Sequence, residues 1–233
     1  MRTSTLDTIL DARARKEPFA LATHLSTGAQ AIVLPDGVDG ELALDEGTLA
    51  AAHQALRDDR SGRVETADGP VFVHVFNPPK RMVLVGAVHI AQALAPMAAL
   101  AGYDVTIVDP RGAFATATRF PNVNLTDTWP DDALEELAPD SRTAVITLTH
   151  DPKLDDPALG AALRSDAFYI GALGSRKTQG ARLRRLKKAG FSDDELARVH
   201  GPVGLSIGAK SPAEIAVSIL AQVTEVLHQG VSR

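Results

Sequence analysis

Residues 81–111 read RMVLVGAVHIAQALAPMAALAGYDVTIVDPR, and this stretch decides the fold. A short apolar run at Met82–Val85 predicts a buried strand, and a glycine break follows it. Residues 88–101 place apolar side chains at helical spacing and stop before another glycine. A second β-branched run, Val105–Val108, ends on an acid. The order strand, glycine turn, helix, strand and acid predicts the first βαβ unit of a nucleotide-binding sheet.

The glycine turn departs from the dinucleotide fingerprint G-x-G-x-x-G/A. The six residues that begin at Gly86 read GAVHIA, so the first glycine and the last small residue are present, and Val88 takes the middle place. The middle glycine normally lets the helix approach a pyrophosphate closely, and a valine side chain obstructs that approach. The turn therefore predicts the fold more firmly than it predicts NAD as the ligand.

From Met82 onward, predicted strands alternate with predicted helices, which is typical of a parallel sheet. Two further strands are predicted at Thr143–Leu148 and Phe168–Ile170, and a loop at 114–123. Helices are predicted over residues 131–137, 156–163, 178–189 and 212–228. The predicted fold class is α/β, a Rossmann-like parallel sheet with helices on both faces.

A small α+β domain is predicted before this sheet, at residues 1–76. Its strands are predicted at 19–25, 30–34, 41–44, 63–66 and 71–76, and its helices at 4–16 and 48–58. Residues 77–80 read NPPK. Because two consecutive prolines continue neither a strand nor a helix, this segment is predicted to be a linker, and the second domain runs over 81–233.

The composition narrows the functional classes. The 233 residues carry a formal net charge of -5 and are 4% aromatic, so neither general nucleic-acid binding nor a stacking surface for single strands is predicted. The absence of cysteine excludes disulfides, thiolate metal sites and a persulfide carrier. The N-terminus has no long apolar core, so no signal peptide is predicted. The uncharged run 82–103 is interpreted as strand and helix rather than a membrane span, and we expect a cytoplasmic protein.

Ligands of an open parallel sheet bind beyond the carboxyl ends of its strands. Polar residues follow all four predicted strands there, which is the pattern of one shared site. The predicted cofactor-binding residues, strand by strand, are Gly86 and His89, Asp109 and Arg111, His150 and Asp151, and Gly171, Gly174, Ser175, Arg176 and Lys177. No catalytic residue is assigned. The histidines stand in no H-x-H or H-x-x-x-H pattern, so no metal site is predicted.

Two interpretations stay open for several of these residues. Ser175 precedes a helix whose free N–H groups and dipole favour an anion, and Arg176 and Lys177 add positive charge there; an ordinary serine cap is the alternative. Asp109 stands where a ribose-binding acid belongs, or is a turn residue before Pro110. The bases further along the helix are predicted to form a solvated face, namely Arg182, Arg184, Arg185, Lys187 and Lys188.

Several ordered blocks between residues 76 and 223 resemble the XdhC/CoxI accessory proteins of xanthine dehydrogenase and aerobic carbon monoxide dehydrogenase. The blocks are PPKR, GAVHIA, VDPR with FATATRFP, LTHDPKLD, YIGALGSRKT and GPVGLSIGAKSPAEIAVSI. The resemblance implies an N-terminal XdhC/CoxI domain and a Rossmann-type domain. It also implies a chaperone that binds molybdenum cofactor, a pterin with a terminal phosphate, as cargo.

The resemblance further implies a role for the chain in sulfuration of the cofactor or its insertion into an apo molybdenum hydroxylase of the xanthine dehydrogenase or carbon monoxide dehydrogenase type. A cysteine desulfurase is an implied second partner, and a homodimer is compatible with the family, although no sequence feature specifies one. Val88 departs from the GAGH common in the family, and no cysteine stands near Asp39–Leu42, where many members carry GGC. The chain itself is therefore not expected to carry sulfur.

Three functional interpretations remain open from the sequence. The first is a cofactor-binding accessory protein without turnover of its own. The second is an NAD(P)-dependent oxidoreductase, which the βαβ unit and Asp109 support and Val88 opposes. The third is a protein-interaction module that keeps the fold and binds no small molecule.

Overall fold

The computed structural model describes residues 3–229, with side chains from residue 5 to residue 228. Contacts divide the chain into two compact units, of which the first ends at Pro78 and the second begins at Pro79. This boundary falls inside the NPPK segment, where consecutive prolines interrupt regular structure. Each unit has its own sheet and its own buried core.

The first unit is a five-stranded antiparallel sheet with two helices. Its strands are β1 Phe19–His24, β2 Gln30–Leu34, β3 Gly37–Gly40, β4 Gly62–Thr66 and β5 Gly69–Phe76, and its helices are α1 Thr3–Ala14 and α2 Glu46–Asp58. The strand order is β3-β2-β1-β5-β4. Successive side chains of β1 point to opposite faces, so Phe19 packs in the cluster of α1 and Ala20 in the cluster of α2.

The second unit contains a parallel sheet of six strands. They are β6 Lys80–Val85, β7 Tyr103–Val108, β8 Asn124–Thr126, β9 Thr143–Thr147, β10 Tyr169–Ala172 and β11 Val199–His200. The order is β11-β10-β9-β6-β7-β8. Counted from β6, this is 3-2-1-4-5-6, the order of the doubly wound dinucleotide-binding fold, in which the order reverses between β6 and β9. The predicted Rossmann-like sheet is confirmed.

Helices cover both faces of this sheet, as predicted. They are α3 His89–Leu100, α4 Pro130–Leu137, α5 Pro152–Leu163, α6 Arg176–Lys188, α7 Asp193–Ala197 and α8 Pro212–Gln229. Leu94 of α3 and Ile219 of α8 are fully buried in one cluster, and Leu159 of α5 is fully buried in the other. Burial of each such side chain stabilises the fold by about 1.5–3 kcal/mol. Helices α3, α5 and α6 each begin just beyond the carboxyl end of a strand.

Three strands differ from the sequence prediction. The third strand of the first unit is Gly37–Gly40 and not 41–44, and all four of its residues are exposed, so it has no apolar pattern to reveal it. Residues 124–126 form β8 next to the predicted loop, and residues 199–200 form β11. Both are sheet-edge strands of three residues or fewer, too short to show a periodicity.

The uncharged run at residues 82–103 is divided between β6, a glycine turn and α3, as interpreted from its sequence. Helix α3 has 12 residues, whereas a helix needs about 20 apolar residues to span a bilayer. Throughout residues 3–229, no helix combines the length and the apolar composition that a membrane crossing requires.

Candidate functional site

The last residues of four neighbouring strands lie side by side at the carboxyl edge of the parallel sheet. Val85 of β6 pairs with Val108 of β7 on one side and with Thr147 of β9 on the other, and Thr147 pairs with Ala172 of β10. Adjacent strands are about 4.8 Å apart, so the four ends span roughly 14 Å. All the predicted site residues lie at or just beyond these ends, so a single edge of the sheet holds them.

Gly86 forms the turn after β6 and has no room for a side chain. Its φ is +112°, in the left-handed region that favours glycine, and its N–H donates to the Val108 carbonyl at 2.8 Å. A Cβ here would lie 2.5 Å from Cγ2 of Thr149, so the loop that follows β9 closely approaches the glycine turn. Helix α3 then begins at His89, which is exposed. Its N-cap residue, Val88, makes no side-chain cap and packs partly against the core.

Asp109 is fully buried and is held by the protein itself. Its Oδ2 accepts from the Ala87 N–H and from Arg111 Nη2, both at 2.8 Å, and its Oδ1 accepts from Arg111 Nε at 2.9 Å. Burial acts to raise the pKa of Asp109, but these hydrogen bonds outweigh it and hold the pKa below its ordinary value. Asp109 thereby fixes both the glycine turn and Arg111, and the part of this pair that reaches solvent is Arg111, 42% exposed.

The loop after β9 has an exposed tip and a buried anchor. His150 is exposed at the tip and has a φ of +63°, a left-handed value that costs a non-glycine residue about 1–2 kcal/mol. Asp151, also exposed, caps α5 by accepting from the Lys153 N–H at 2.9 Å. Thr149 anchors the loop, because its Oγ1 donates to Oδ1 of the buried Asp155 at 2.7 Å.

The loop after β10 leads into the start of α6. Gly174 has a φ of +151°, and Ser175 is the N-cap residue, whose Oγ accepts from the Thr178 N–H at 3.1 Å. The serine cap that the sequence left as the alternative is therefore present. It engages one of the N–H groups of the first turn, while the side chains of Arg176 and Lys177 are exposed beside it.

Arg182 of α6 lies in the interior, which the sequence did not predict. Its Nη1 donates to Oε1 of Gln179 and its Nη2 to the carbonyl of Leu173, both at 2.8 Å, and Nη2 lies 3.4 Å from Oδ2 of Asp155. Each side chain of the Arg182–Asp155 ion pair is only 2% exposed. Since Leu173 follows β10 and Asp155 anchors the β9 loop, this pair joins two of the four strand exits.

The predicted solvated face of α6 is thus wrong for Arg182. Gln179, Arg182 and Leu186 recur at helical spacing and are the buried residues of this helix. That spacing was the signal available in the sequence, and it was masked by the run of bases around it. Arg185 is partly exposed and pairs with Asp156, with Nη2 to Oδ1 at 2.9 Å.

The structure separates the predicted site residues by exposure. Buried in the framework are Gly86, Asp109 and Gly171, and a Cβ on Gly171 would lie 2.6 Å from Cγ2 of Val203. Gly174 is half-buried. Available at the surface are His89, Arg111, His150, Asp151, Ser175, Arg176 and Lys177. The hydrogen bonds to Asp109 raise the pKa of Arg111, and the negative charges of Asp151 and Asp155 raise it further. Arg111 follows β7 and the two acids follow β9, so charges at these two strand exits interact with each other.

A groove of about 750 Å³ is lined by residues of α4, α5 and α6 and of the segments that follow them. Its lining includes Leu134, Pro157, Arg164 and Phe191, and it includes none of the predicted site residues. Within the described part of the chain, no group of three or more histidine, aspartate or glutamate side chains is arranged to hold a metal ion.

Residues 82–223, which carry this edge and its helices, match the XdhC Rossmann domain. The chain belongs to the XdhC Rossmann-domain family. This confirms the resemblance drawn from the sequence blocks. The matched segment begins in β6 and ends within α8, so it contains all four strand exits of the candidate site.

Curated relatives of this XdhC-family chain include two that match along the same domain. The molybdenum cofactor insertion chaperone PaoD of Escherichia coli (strain K12) is 37% identical over 155 residues, which are 66% of this chain and 42% of PaoD. A Bacillus subtilis (strain 168) protein, named as a probable xanthine dehydrogenase subunit, is 31% identical over 156 residues, 66% of this chain and 45% of that protein. The chain thus spans less than half the length of either relative.

A solved structure extends the likeness to the first unit of the XdhC-family chain. It is the crystal structure of a xanthine dehydrogenase from Bacillus halodurans, with a TM-score of 0.66 and 24% identity. The match covers 98% of this chain and 65% of that one. At 24% identity the likeness shows a shared fold only. It also covers the antiparallel first unit, which lies outside the family match over residues 82–223.

Proposed function

We propose that this chain acts in the maturation of a molybdenum hydroxylase, binding molybdenum cofactor as cargo and assisting its insertion or sulfuration. The observation that carries the proposal is the 37% identity with PaoD, whose name is molybdenum cofactor insertion chaperone, over 155 residues of the domain that holds the candidate site. Since the chain spans 42% of PaoD, the activity and partners of the whole protein belong to the proposal.

The surface residues of the strand exits suit a pterin with a terminal phosphate. Arg176, Lys177 and the first-turn N–H groups of α6 are donors for the phosphate. The exposed carboxylate of Asp151 accepts hydrogen bonds from amino and ring N–H groups, and His89 and His150 supply further polar contacts. The exits span roughly 14 Å, so one elongated ligand can contact several of them.

The proposed partner is an apo molybdenum hydroxylase of the xanthine dehydrogenase or carbon monoxide dehydrogenase type, in the cytoplasm. The chain has no cysteine, so sulfur added to the cofactor comes from another protein, for which a cysteine desulfurase is the proposed source. The role proposed for the chain is to hold and transfer the cofactor. A homodimer is compatible with this role and is not required by it.

The test is cofactor retention in a host that makes molybdenum cofactor. Mass spectrometry of the purified protein should find the cofactor with the wild type and markedly less with Arg176→Ala/Lys177→Ala, because both phosphate-directed bases are lost. The matched control is Arg184→Ala/Lys188→Ala, which removes the same charge from exposed positions of the same helix and should retain cofactor like the wild type. Equal retention by both double variants would remove the α6 start from the site, and no cofactor with the wild type would refute the proposal.

A second candidate function, NAD(P)-dependent oxidoreduction, is favoured by the 3-2-1-4-5-6 strand order. Against it, Asp109 is fully buried and its two carboxylate oxygens are engaged by Arg111 and the Ala87 N–H, so they are not exposed to a ribose. Titration with NADH and NADPH, followed by energy transfer from the single tryptophan, Trp129, discriminates the two functions. Saturable binding in the micromolar range would favour the oxidoreductase.

A further inference from the structure

The groove of about 750 Å³, called the α5 groove below, follows the length of helix α5. Its lining extends from Pro152, the first residue of α5, to Arg164, the C-cap residue. Helix α5 packs against both α4 and α6, and all three helices contribute to the same core cluster. Since α4 and α6 also line the groove, α5 forms its floor and the other two helices form its walls.

The floor of the α5 groove is apolar and shallow. It is formed along α5 by Pro157, Gly160 and Ala161, whose side chains are small or absent. A Cβ on Gly160 would lie 3.6 Å from Cζ of Phe191, so this buried ring closes one end of the floor in ordinary van der Waals contact. A second helix can therefore approach the axis of α5 closely and bury apolar side chains against it.

The dimensions of the α5 groove suit an α-helix. Packed helices have axes about 8–10 Å apart, so the two walls on either side of α5 are separated by roughly 16–20 Å. A helix with its side chains is about 10–12 Å in diameter and fits between them, whereas an extended segment would leave a wall uncovered. The 12 residues of α5 rise about 18 Å, which is the length of three turns of a bound helix.

The positive charges that line the groove are already engaged within the chain. Arg185 of α6 donates from Nη2 to Oδ1 of Asp156 at 2.9 Å. The centre of the Arg164 guanidinium lies 4.9 Å from the centroid of the Phe191 ring, which is cation–π distance. Neither arginine therefore leaves the groove with a free positive charge comparable to that of an isolated side chain.

The negative charges that line the groove are free. Asp131 and Glu135 of the α4 wall and Asp166 after α5 are all exposed. These three carboxylates make no hydrogen bond or ion pair with any residue that the structure describes. Asp131 and Glu135 are four residues apart on one helix, so their side chains lie about one turn from each other. The α5 groove thus combines an apolar floor with a negatively charged wall.

We propose that the α5 groove binds a helix of a partner protein, with an apolar face that packs on α5 and with lysine or arginine side chains one turn apart facing α4. The apolar anchors recur at helical spacing on such a helix, and the basic side chains pair with Asp131 and Glu135. This surface goes beyond the proposed function, because its lining includes none of the strand-exit residues and its occupation needs no cofactor.

The test uses the full chain and labelled helical peptides, with binding followed by fluorescence anisotropy. The probe is a stapled peptide of about 14 residues, or four turns, with leucine and alanine on one face and lysine beside it. A second peptide carries glutamate in place of each lysine, and a third carries serine in place of each leucine. We expect saturable binding of the lysine peptide and at least tenfold weaker binding of the other two.

Charge reversal on the protein locates the bound peptide. Asp131→Lys/Glu135→Lys should weaken binding of the lysine peptide about tenfold and strengthen binding of the glutamate peptide. The matched control is Asp132→Lys/Glu136→Lys, which makes the same charge change at exposed neighbours on α4 that do not line the groove. The control should change either affinity less than about threefold. Circular dichroism and Trp129 emission show that each variant is folded.

Four results would overturn the proposal. They are no binding of the lysine peptide up to about 1 mM, equal binding of the lysine and glutamate peptides, equal binding of the serine peptide, and equal effects of the two double variants. A wild-type dimer that Asp131→Lys/Glu135→Lys dissociates in sedimentation would assign the groove to a second copy of the chain and would equally overturn it. Cofactor retention is measured separately, so failure here leaves the maturation proposal to its own test.

Discussion

Replacement of Arg182 by leucine should destabilise the second unit by about 3–5 kcal/mol, because it leaves the carboxylate of Asp155 buried without its partner. Both side chains are 2% exposed, so water cannot readily take the place of Arg182 as a partner of the Asp155 carboxylate. The change also removes the hydrogen bonds that Arg182 donates to Gln179 and to the Leu173 carbonyl. Hydrogen bonds to charged groups are worth about 1.5–3 kcal/mol each, so the loss of two agrees with a destabilisation of this size.

Arg185→Leu is the matched control, since it removes the same side chain one turn further along α6. Arg185 pairs with Asp156, but its side chain is 40% exposed, and partly exposed ion pairs are worth about 0–1 kcal/mol. Adding Asp155→Asn to Arg182→Leu should recover part of the lost stability, because the uncompensated charge is then removed. Comparing the stability lost by the two variants shows whether the loss comes from the buried charge of Asp155 or from the removal of any arginine of α6.

The loss should also depend on pH in a defined direction. Burial raises the pKa of Asp155, although Thr149 and the charge of Arg182 oppose it. The folded state then binds a proton more readily than the unfolded state, so this group reduces stability as the pH rises through the interval between the two pKa values. Without Arg182 the pKa of Asp155 rises further, so Arg182→Leu should cost more at about pH 8 than at about pH 5.

The measurement is urea unfolding at both pH values, followed by the emission of Trp129. This is the single tryptophan of the chain and lies at the start of α4, so it reports on the second unit. The expected result is a large, pH-dependent loss for Arg182→Leu and a small loss for Arg185→Leu. Equal losses for the two variants, or a larger loss for Arg182→Leu at the lower pH, would refute the assignment of a buried ion pair.

Two further predictions concern the β6 and β7 exits. Gly86→Ala should lower the free energy of unfolding by about 2–4 kcal/mol, because it adds a Cβ 2.5 Å from Thr149 Cγ2 at a φ of +112°. Gly190→Ala is the control and should lower it by about 1 kcal/mol, because Gly190 has a φ of +101° but open space around it. Similar melting temperatures for both variants would contradict the close approach of the β9 loop to Gly86. The pKa of Asp109 is lower in the folded state than in the unfolded state, so its carboxylate stabilises the fold above the unfolded-state pKa and this stabilisation is lost as the pH falls through the folded-state pKa. Asp109→Asn should therefore lose less stability than the wild type between about pH 5 and pH 2. An equal loss for both proteins in urea unfolding would contradict this.

The sequence predicted those parts of the fold that have a strong apolar period. The β6–α3–β7 unit was found because Met82–Val85 and Val105–Val108 are buried runs on either side of a helical pattern. The β3 strand, GVDG, was missed because all four of its residues are exposed, and β11 was missed because it has only two residues. These strands exist through backbone pairing with a neighbour, which leaves no side-chain pattern in the sequence.

The location of the candidate site could be predicted from the sequence, but the contacts between its side chains could not. Parallel strands bring their carboxyl ends to one edge, so alternation of strands and helices sufficed to gather His89, Arg111, His150 and Arg176. The partners were not predictable, because Arg182 meets Asp155 across 27 residues of sequence. A base in a run of bases is normally at the surface, and only the packing of α6 against α5 places one inside.

The distribution of charge along this edge favours one of its helix starts for the phosphate of the proposed cofactor. The α5 start is already occupied by the carboxylate of Asp151, and the α8 start by that of Glu214, whose Oε2 accepts from the Ser211 N–H at 2.8 Å. A second anion is disfavoured at both places. At the turn before α3, the buried Asp109 carboxylate already accepts from the Ala87 N–H. The α6 start carries no carboxylate cap, and the exposed side chains of Arg176 and Lys177 lie beside it. The α6 start is therefore the place along this edge that best suits the phosphate of the proposed cofactor.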